Sequence, residues 1–268
     1  VLASVVSVVS FVRSTDLWER RGLQLLFLAA GTLGIGLAVR WFNSGLLPVI
    51  SQFEVVAFYT FVITIVYLVN AIRYDTRNLS VILIPYVTVL LFIAVLHSRA
   101  TPHLDPHMRS IWLNVHILAA LVGYASFTLA CVLGVSYLLQ DRNLKQKRFG
   151  PLFRKLPALE TLDRLMSGQI AFAFVVFTVS IGLGILLTHL NRWGTRWLTD
   201  PKIIATVLTW FIYAVLFYLK VSARHHGRKI AIITIVGFCG ILFTFFGVNL
   251  FTQTMHNLTM ARYSGGGG

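Results

Sequence analysis

Seven stretches of about 20 residues, each carrying at most one charged side chain, follow one another along this chain: 22–42, 54–72, 79–97, 111–139, 167–189, 203–221 and 230–251. Crossing a hydrocarbon layer as a helix takes about 20 consecutive apolar residues. In that medium every backbone N–H and C=O must pair within the protein, so a helix or a closed barrel is required. Runs of this length, without period-2 alternation, specify helices. A shorter apolar run over 1–12 reads as the end of another span. The expectation is an all-α, polytopic membrane helix bundle of about eight transmembrane helices, the first truncated. It forms one membrane-embedded domain over 1–264, with Gly265–Gly268 a tail outside the fold. The run 111–139 is long enough to tilt or to project beyond the bilayer. Apolar residues make up 57% of the chain and charged residues 12%, against about 45–50% and about 25% in a soluble domain. That balance excludes a soluble globule, a disordered chain and a small disulfide scaffold.

The net charge is +14, from 23 Lys and Arg against 9 Asp and Glu. In a soluble protein such an excess points to nucleic acid. Here it sorts by loop. Alternate loops carry Arg13, Arg20 and Arg21, then Arg73 and Arg77, then seven cations from Arg142 to Arg164, then Lys220, Arg224, Arg228 and Lys229. Together they hold 16 of the 23. The positive-inside rule places these loops in the cytoplasm and both termini outward. The basic character therefore records orientation in a lipid bilayer, and a nucleic-acid partner is excluded.

The histidines sort as well. His225 and His226 fall in a basic loop and read as solvated. His97, His103, His107, His116, His189 and His256 all fall at the other end of the spans. Neutral imidazole is the commonest metal ligand, and two on facing elements can hold haem iron axially. His116 lies about one turn into its span, after Trp112, and His256 lies just past the last span, at similar depth. An ionisable group at that margin is a functional candidate by default, although a hydrogen-bonded interfacial histidine is the plainer alternative. His103, Asp105 and His107 offer a second candidate for a divalent metal, but Pro106 argues against a helical i, i+4 pair. Cys131 and Cys239 lack any CxxC context and read as packing residues. Asp200 followed by Pro201 has the form of a helix N-cap.

Between the sixth and seventh full-length candidates, counting the short run as first, lies Trp193-Gly194-Thr195-Arg196-Trp197-Leu198-Thr199-Asp200-Pro201-Lys202. It resembles the tryptophan-rich WWD signature of the haem-handling cytochrome c assembly proteins, whose fullest form reads W-G-x-Y-W-x-W-D-P-K-E. Leu162-Asp163-Arg164-Leu165, Ile170, Phe174, Thr178, Ile181 and Gly184 are similar to the helix leading into that signature, and Thr209-Trp210 with Tyr213-Ala214 to the helix leaving it. Trp112-Leu113-Asn114-Val115-His116 with Tyr124-Ala125 looks like the segment of the first outward haem-ligand histidine. Phe246-Gly247-Val248-Asn249 with His256 looks like the second. Arg40-Trp41, Ser44-Gly45, Pro48 and Glu54 resemble the early outward loop. The likeness runs from about Arg40 to His256 and is greatest to the CcsA branch and its HemX-like relatives.

The resemblance implies haem b held at the outer face of a bacterial cytoplasmic (inner) membrane, between His116 and His256 as axial ligands of the iron. Trp193, Trp197 and Trp112 would flank it, Asp200 would orient a neighbour, and Arg192, Arg196 and Lys202 would meet its propionates by charge-assisted bonds. It implies presentation of haem to apocytochrome c as the haem-handling subunit of a haem-lyase complex, with a CcsB/ResB-type membrane partner. No side chain is implied as an acid–base catalyst. The chain also departs from the pattern: Thr199 replaces the third Trp, Ile203 the Glu, Arg196 a common aromatic, Leu46 the His of the early loop, and Tyr218 the inner-side ligand His. The departures favour one alternative, a non-catalytic HemX-like haem-binding or regulatory membrane protein; a second, a structural or electron-transfer subunit reusing the fold, stays open because a motif resemblance fixes fold better than function. Orientation is testable directly. A periplasm-dependent phosphatase reporter is expected to be active when joined after Gly45 and inactive when joined after Gly150; the reverse pattern would invert the topology.

Overall fold

The computed structural model describes residues 16–49, 51–74, 76–96, 110–147, 149–190, 196–222 and 227–248. All regular structure among them is helical. In chain order it comprises α1 (Asp16–Ser44), α2 (Gln52–Tyr74), α3 (Ser80–Leu96), α4 (Ile111–Lys145), the short α5 (Pro151–Lys155), α6 (Leu159–Leu190), α7 (Pro201–Phe217) and α8 (Arg228–Leu242). Single 3₁₀ turns precede α3 and α7. Wider π turns extend α7 over Tyr218–Ser222 and α8 over Phe243–Gly247. Seven of these helices are long and apolar enough to cross a membrane, and the chain is a multi-pass membrane protein. The run 1–12 and the tail 265–268 lie outside the described residues.

At the centre stands α4, packed on α6 along its length and on α2 and α8 at its sides. Lipid is as apolar as leucine, so helices in a membrane adhere through close packing rather than through the hydrophobic effect, and small side chains permit the approach. The buried face of α4 is built that way, with Gly123, Ala125, Ser126, Ala130 and Gly134. A Cβ on Gly123 would sit 3.2 Å from Cβ of Phe177 in α6, and one on Gly134 3.3 Å from the Ala231 carbonyl oxygen in α8. Larger rings fill the remaining space. Phe127 stacks on Tyr213 of α7 at 3.5 Å between centroids and meets Phe177 edge-on at 5.8 Å. By contrast, α1 and α7 leave most of their side chains at the bundle surface, including Phe27, Leu28, Ile35, Leu208 and Phe211.

Buried hydroxyls are satisfied locally. Thr60, Thr64, Thr128, Ser136, Thr234 and Thr244 each donate to the carbonyl four residues earlier, at 2.7–2.9 Å. This is the cheapest partner available inside an apolar bundle. Tyr59 of α2 instead reaches across to Thr128 of α4 and lies 3.4 Å from the Tyr86 hydroxyl of α3, joining three helices through one hydroxyl.

Several expectations need correction. The span read as 167–189 begins at Leu159, and the span read as 111–139 continues to Lys145. In the first case Arg164 counts in the sequence among the loop cations. Asp163 is in fact buried within the helix because Lys220 neutralises it, Nζ donating to Oδ1 at 2.6 Å. Lys220 therefore belongs to the helical extension of α7 rather than to a solvated loop, and its side chain is fully enclosed. The Gly227 N–H also approaches the same carboxylate oxygen, at 3.4 Å, from a backbone of φ +92° that only glycine adopts easily. Cys131 is packed as expected, whereas Cys239 lies on the exposed side of α8. Removing one member of a buried ion pair leaves an uncompensated charge and costs about 3–5 kcal/mol. Lys220→Met alone is therefore expected to destabilise the detergent-solubilised protein by that amount, and Asp163→Asn/Lys220→Met to recover most of it in thermal unfolding.

Candidate functional site

The end of the bundle opposite the basic loops gathers side chains from α4, α6 and α7. His116 sits in the second turn of α4, below the exposed Ile111 and Trp112. Its ring turns toward α6, where Nδ1 lies 2.8 Å from the Ser180 carbonyl oxygen. A carbonyl can only accept, so Nδ1 carries the proton and Nε2 of the neutral ring keeps its lone pair. The Ser180 hydroxyl donates to the His116 carbonyl at 3.1 Å and lies 3.3 Å from Nδ1. One turn further along α6, Gly184 faces the same ring: a Cβ there would stand 3.0 Å from Cε1.

The chain enters α7 through a 3₁₀ turn, Arg196–Thr199, in which the Asp200 N–H donates to the Trp197 carbonyl at 3.2 Å. Asp200 is extended, with φ −67° and ψ 123°, and its Oδ1 accepts from the N–H groups of Lys202 at 2.9 Å and Ile203 at 3.3 Å. With Pro201 at the first helical position, this is a complete N-cap. Asp200 is only 3% exposed, Trp197 is half-buried and Leu198 points outward. Lys202, half-buried in the first turn of α7, lies within electrostatic reach of His116.

Below this level the helices are tied together. Trp210 of α7 donates Nε1–H to Thr178 of α6 at 2.9 Å. Thr209 meets Thr244 at 3.3 Å, joining α7 to the π turn that ends α8. Within that turn Phe243 folds over Gly247, where a Cβ would come within 2.6 Å of the ring. The wide turn thus sets the direction in which the chain leaves α8. Tyr124, two turns below His116 on α4, packs on Phe177 at 5.2 Å and on Phe245 of the π turn at 6.1 Å.

Of the expected site residues, His116, Asp200 and Lys202 are brought together at one end, Trp197 stands in the same turn, and Trp112 is on the exposed first turn of α4. Only the backbone of Arg196 is described. Arg192, Trp193 and His256 lie outside the described residues, as do His97, His103, Asp105 and His107. Among the described residues no group of three or more His, Cys, Asp or Glu is placed to hold a metal. Three features escaped the sequence reading. Ser180 and Gly184 contact His116 only because α4 and α6 run antiparallel, and the one available signal was their i, i+4 spacing. The third is the ion pair of Arg40 with Glu54. Glu54 also accepts from Ser51 N–H at 3.1 Å, while Ser51 Oγ accepts from Glu54 N–H at 3.2 Å. This is a capping box, and it pins the loop that buries Leu46, Leu47 and Val49.

The family described as cytochrome c assembly protein matches this chain over residues 49–256, from the pinned loop to His256. The chain belongs to the cytochrome c assembly protein family. Among relatives named cytochrome c biogenesis protein CcsA, that of Mesostigma viride is 27% identical over 263 residues, covering 85% of each chain. That of Guillardia theta is 27% identical over 254 residues, covering 86% of this chain and 82% of its own. That of the cyanobacterium Prochlorococcus marinus (strain AS9601) is 27% identical over 244 residues, covering 82% and 79%. The assembly-protein match includes every described element of the site, from His116 through the Asp200 cap. That cap makes a local prediction. Asp200→Ala is expected to cost about 0.5–2 kcal/mol and to speed amide exchange at 202 and 203, while Asp200→Asn retains both bonds and the slower exchange.

Proposed function

We propose that this chain acts in cytochrome c biogenesis by holding haem b at the outer face of the bacterial cytoplasmic membrane and presenting it to apocytochrome c. The observation that carries the reading is the state of His116: its Nδ1 is occupied by a backbone carbonyl, which leaves Nε2 as the nitrogen available to a ligand. Such a bond from the far nitrogen of an imidazole is the usual support of a metal-ligating histidine. The donor set fits haem. His116 and His256 would hold the haem iron. Trp193, Trp197 and Trp112 would offer flat apolar faces, and Arg192, Arg196 and Lys202 would meet the propionates. Asp200 contributes by fixing the turn that carries Trp197 and Lys202.

When bound, haem supplies the vinyl groups to which the cysteine thiols of an apocytochrome CxxCH segment add. On this reading the chain's residues orient and hold: His116 is fixed by α6, and the Asp200 cap fixes the turn that carries Trp197 and the helix start that carries Lys202. A CcsB/ResB-type membrane protein is the expected partner, and the orientation that puts the basic loops in the cytoplasm puts this site on the outer face. Protein purified from haem-sufficient cells is expected to show a bis-histidine haem spectrum. His116→Ala/His256→Ala should lose it; unchanged haem content in that variant would overturn the reading.

Two replacements favour a second reading, a HemX-like haem-binding protein without a ligation role. Leu46 stands where the resembling loop carries His, and it is buried in the core. Tyr218 stands where the inner-side ligand would be, and it is 61% exposed. The resemblance would then extend to the outer site alone. Restoration of cytochrome c maturation by this chain together with a CcsB-type partner would exclude that second reading.

A further inference from the structure

On the reading that His116 ligates haem iron, we propose that Ser180 and Gly184 of α6 form a seat that fixes His116 as an Nε2 ligand. The carbonyl of a helical residue points toward the next turn, and side chains tilt back toward the helix N-terminus. The side chain at i+4 therefore covers the approach to carbonyl i. In α6 the carbonyl belongs to Ser180 and the residue four positions on is Gly184, so the approach is open. His116 fills it, with Nδ1 at 2.8 Å from the carbonyl oxygen. A Cβ at position 184 would lie 3.0 Å from Cε1 and 3.4 Å from Nδ1, so the ring would have to give way and its bond to the carbonyl would lengthen or bend.

The same turn of α6 also grips the backbone of α4. Ser180 Oγ–H donates to the His116 carbonyl at 3.1 Å, so both the ring and the main chain of His116 are held by one residue. A second contrast isolates the effect. Gly182, two residues from each member of the seat, has nothing within 4 Å of its ideal Cβ position. Ser180 and Gly184 are thus positioning residues: they touch the ligand histidine, and they set its tautomer and its direction. Outer partners of metal ligands commonly contribute 10–100-fold in affinity. The Ser180 hydroxyl should contribute less than the open carbonyl, because Ser180→Ala leaves the carbonyl in place.

The test uses full-length protein in detergent, with Gly182→Ala as the size-matched control and thermal unfolding to confirm that each variant is folded. In haem-free protein with ¹⁵N-labelled histidine, the His116 ring signals are assigned by their loss in His116→Gln. Wild type and Gly182→Ala are expected to show the neutral ring protonated at Nδ1, and Gly184→Ala a mixture of the two tautomers. Haem titration should then show about 10–100-fold weaker binding in Gly184→Ala and no change in Gly182→Ala. An Nε2-protonated ring in the wild type overturns the seat even if Gly184→Ala cannot be folded. So does identical behaviour of the two alanine variants in both measurements. A wild-type ring protonated at Nδ1, in a protein that binds no haem at all, would overturn the haem reading instead.

Discussion

A helix in hydrocarbon has no water to shed when it meets a neighbour, so its adhesion depends on how closely the two backbones can approach. The seam between α4 and α6 meets that condition, and most of the molecule is arranged by it. Gly123 lets α4 close on Phe177, and Gly134 lets it close on α8. The antiparallel register this imposes sets His116 opposite Ser180 at one end. It also sets Asp163, in the second turn of α6, at the other end, where the extension of α7 delivers Lys220. A bulkier seam would separate the helices and dissolve both contacts at once, although they lie at opposite ends of the bundle.

The two ends handle polarity differently. At the basic end a lysine and an aspartate are enclosed together, and neighbouring amides tie the turns: Gln169 Nε2–H donates to Asn70 Oδ1 at 2.9 Å, and Asn78 Nδ2–H to the Lys155 carbonyl at 2.6 Å. Each pairing closes a contact between segments distant in sequence. At the histidine end the buried carboxylates serve helix starts instead. Asp200 caps α7 through two backbone N–H groups, and Glu54 closes the capping box of α2 while pairing with Arg40. That leaves His116, among the described residues, with one ring nitrogen committed to the protein and one not. The asymmetry is what a ligand site needs: rigid supports whose own polar atoms are already engaged, beside a donor that is not.

The spans were legible because apolar length is a local property and the bilayer sets its scale. Their ends were less so. Asp163 fell outside the apolar run because its neutralising partner is 57 positions away, and no local pattern announces that pairing. The Asp200 cap could be read directly from the Asp-Pro dipeptide, since capping is settled within four residues. His116 could be singled out by type and depth, but Ser180 could not. A serine in an apolar helix usually bonds its own preceding turn, as Ser136 and Ser167 do here, and only the register of α4 against α6 distinguishes Ser180 from them. Local chemistry was thus readable, and chemistry made by packing was not.

The substitutions in the family pattern gain meaning from the same packing. Leu46 follows Gly45, whose φ of +66° turns the chain inward after α1, and Ser44 Oγ–H donates to the Leu46 carbonyl at 3.0 Å. With Arg40 bonded to Glu54 across this loop, the segment is held against the bundle; Leu46 and Leu47 are both buried and Leu47 joins the core cluster. A histidine at position 46 would have to find a polar partner there or a ligand to justify its burial; leucine requires neither. Tyr218 replaces a second histidine at the opposite end, where it points away from the bundle. Both changes exchange a ligating side chain for one that suits its surroundings without a metal. The Ser180 and Gly184 contacts, by contrast, are built around the histidine that was kept. On the proposed reading, the absence of histidine at these two positions beside a specifically supported His116 fits haem handling concentrated at one end of the bundle.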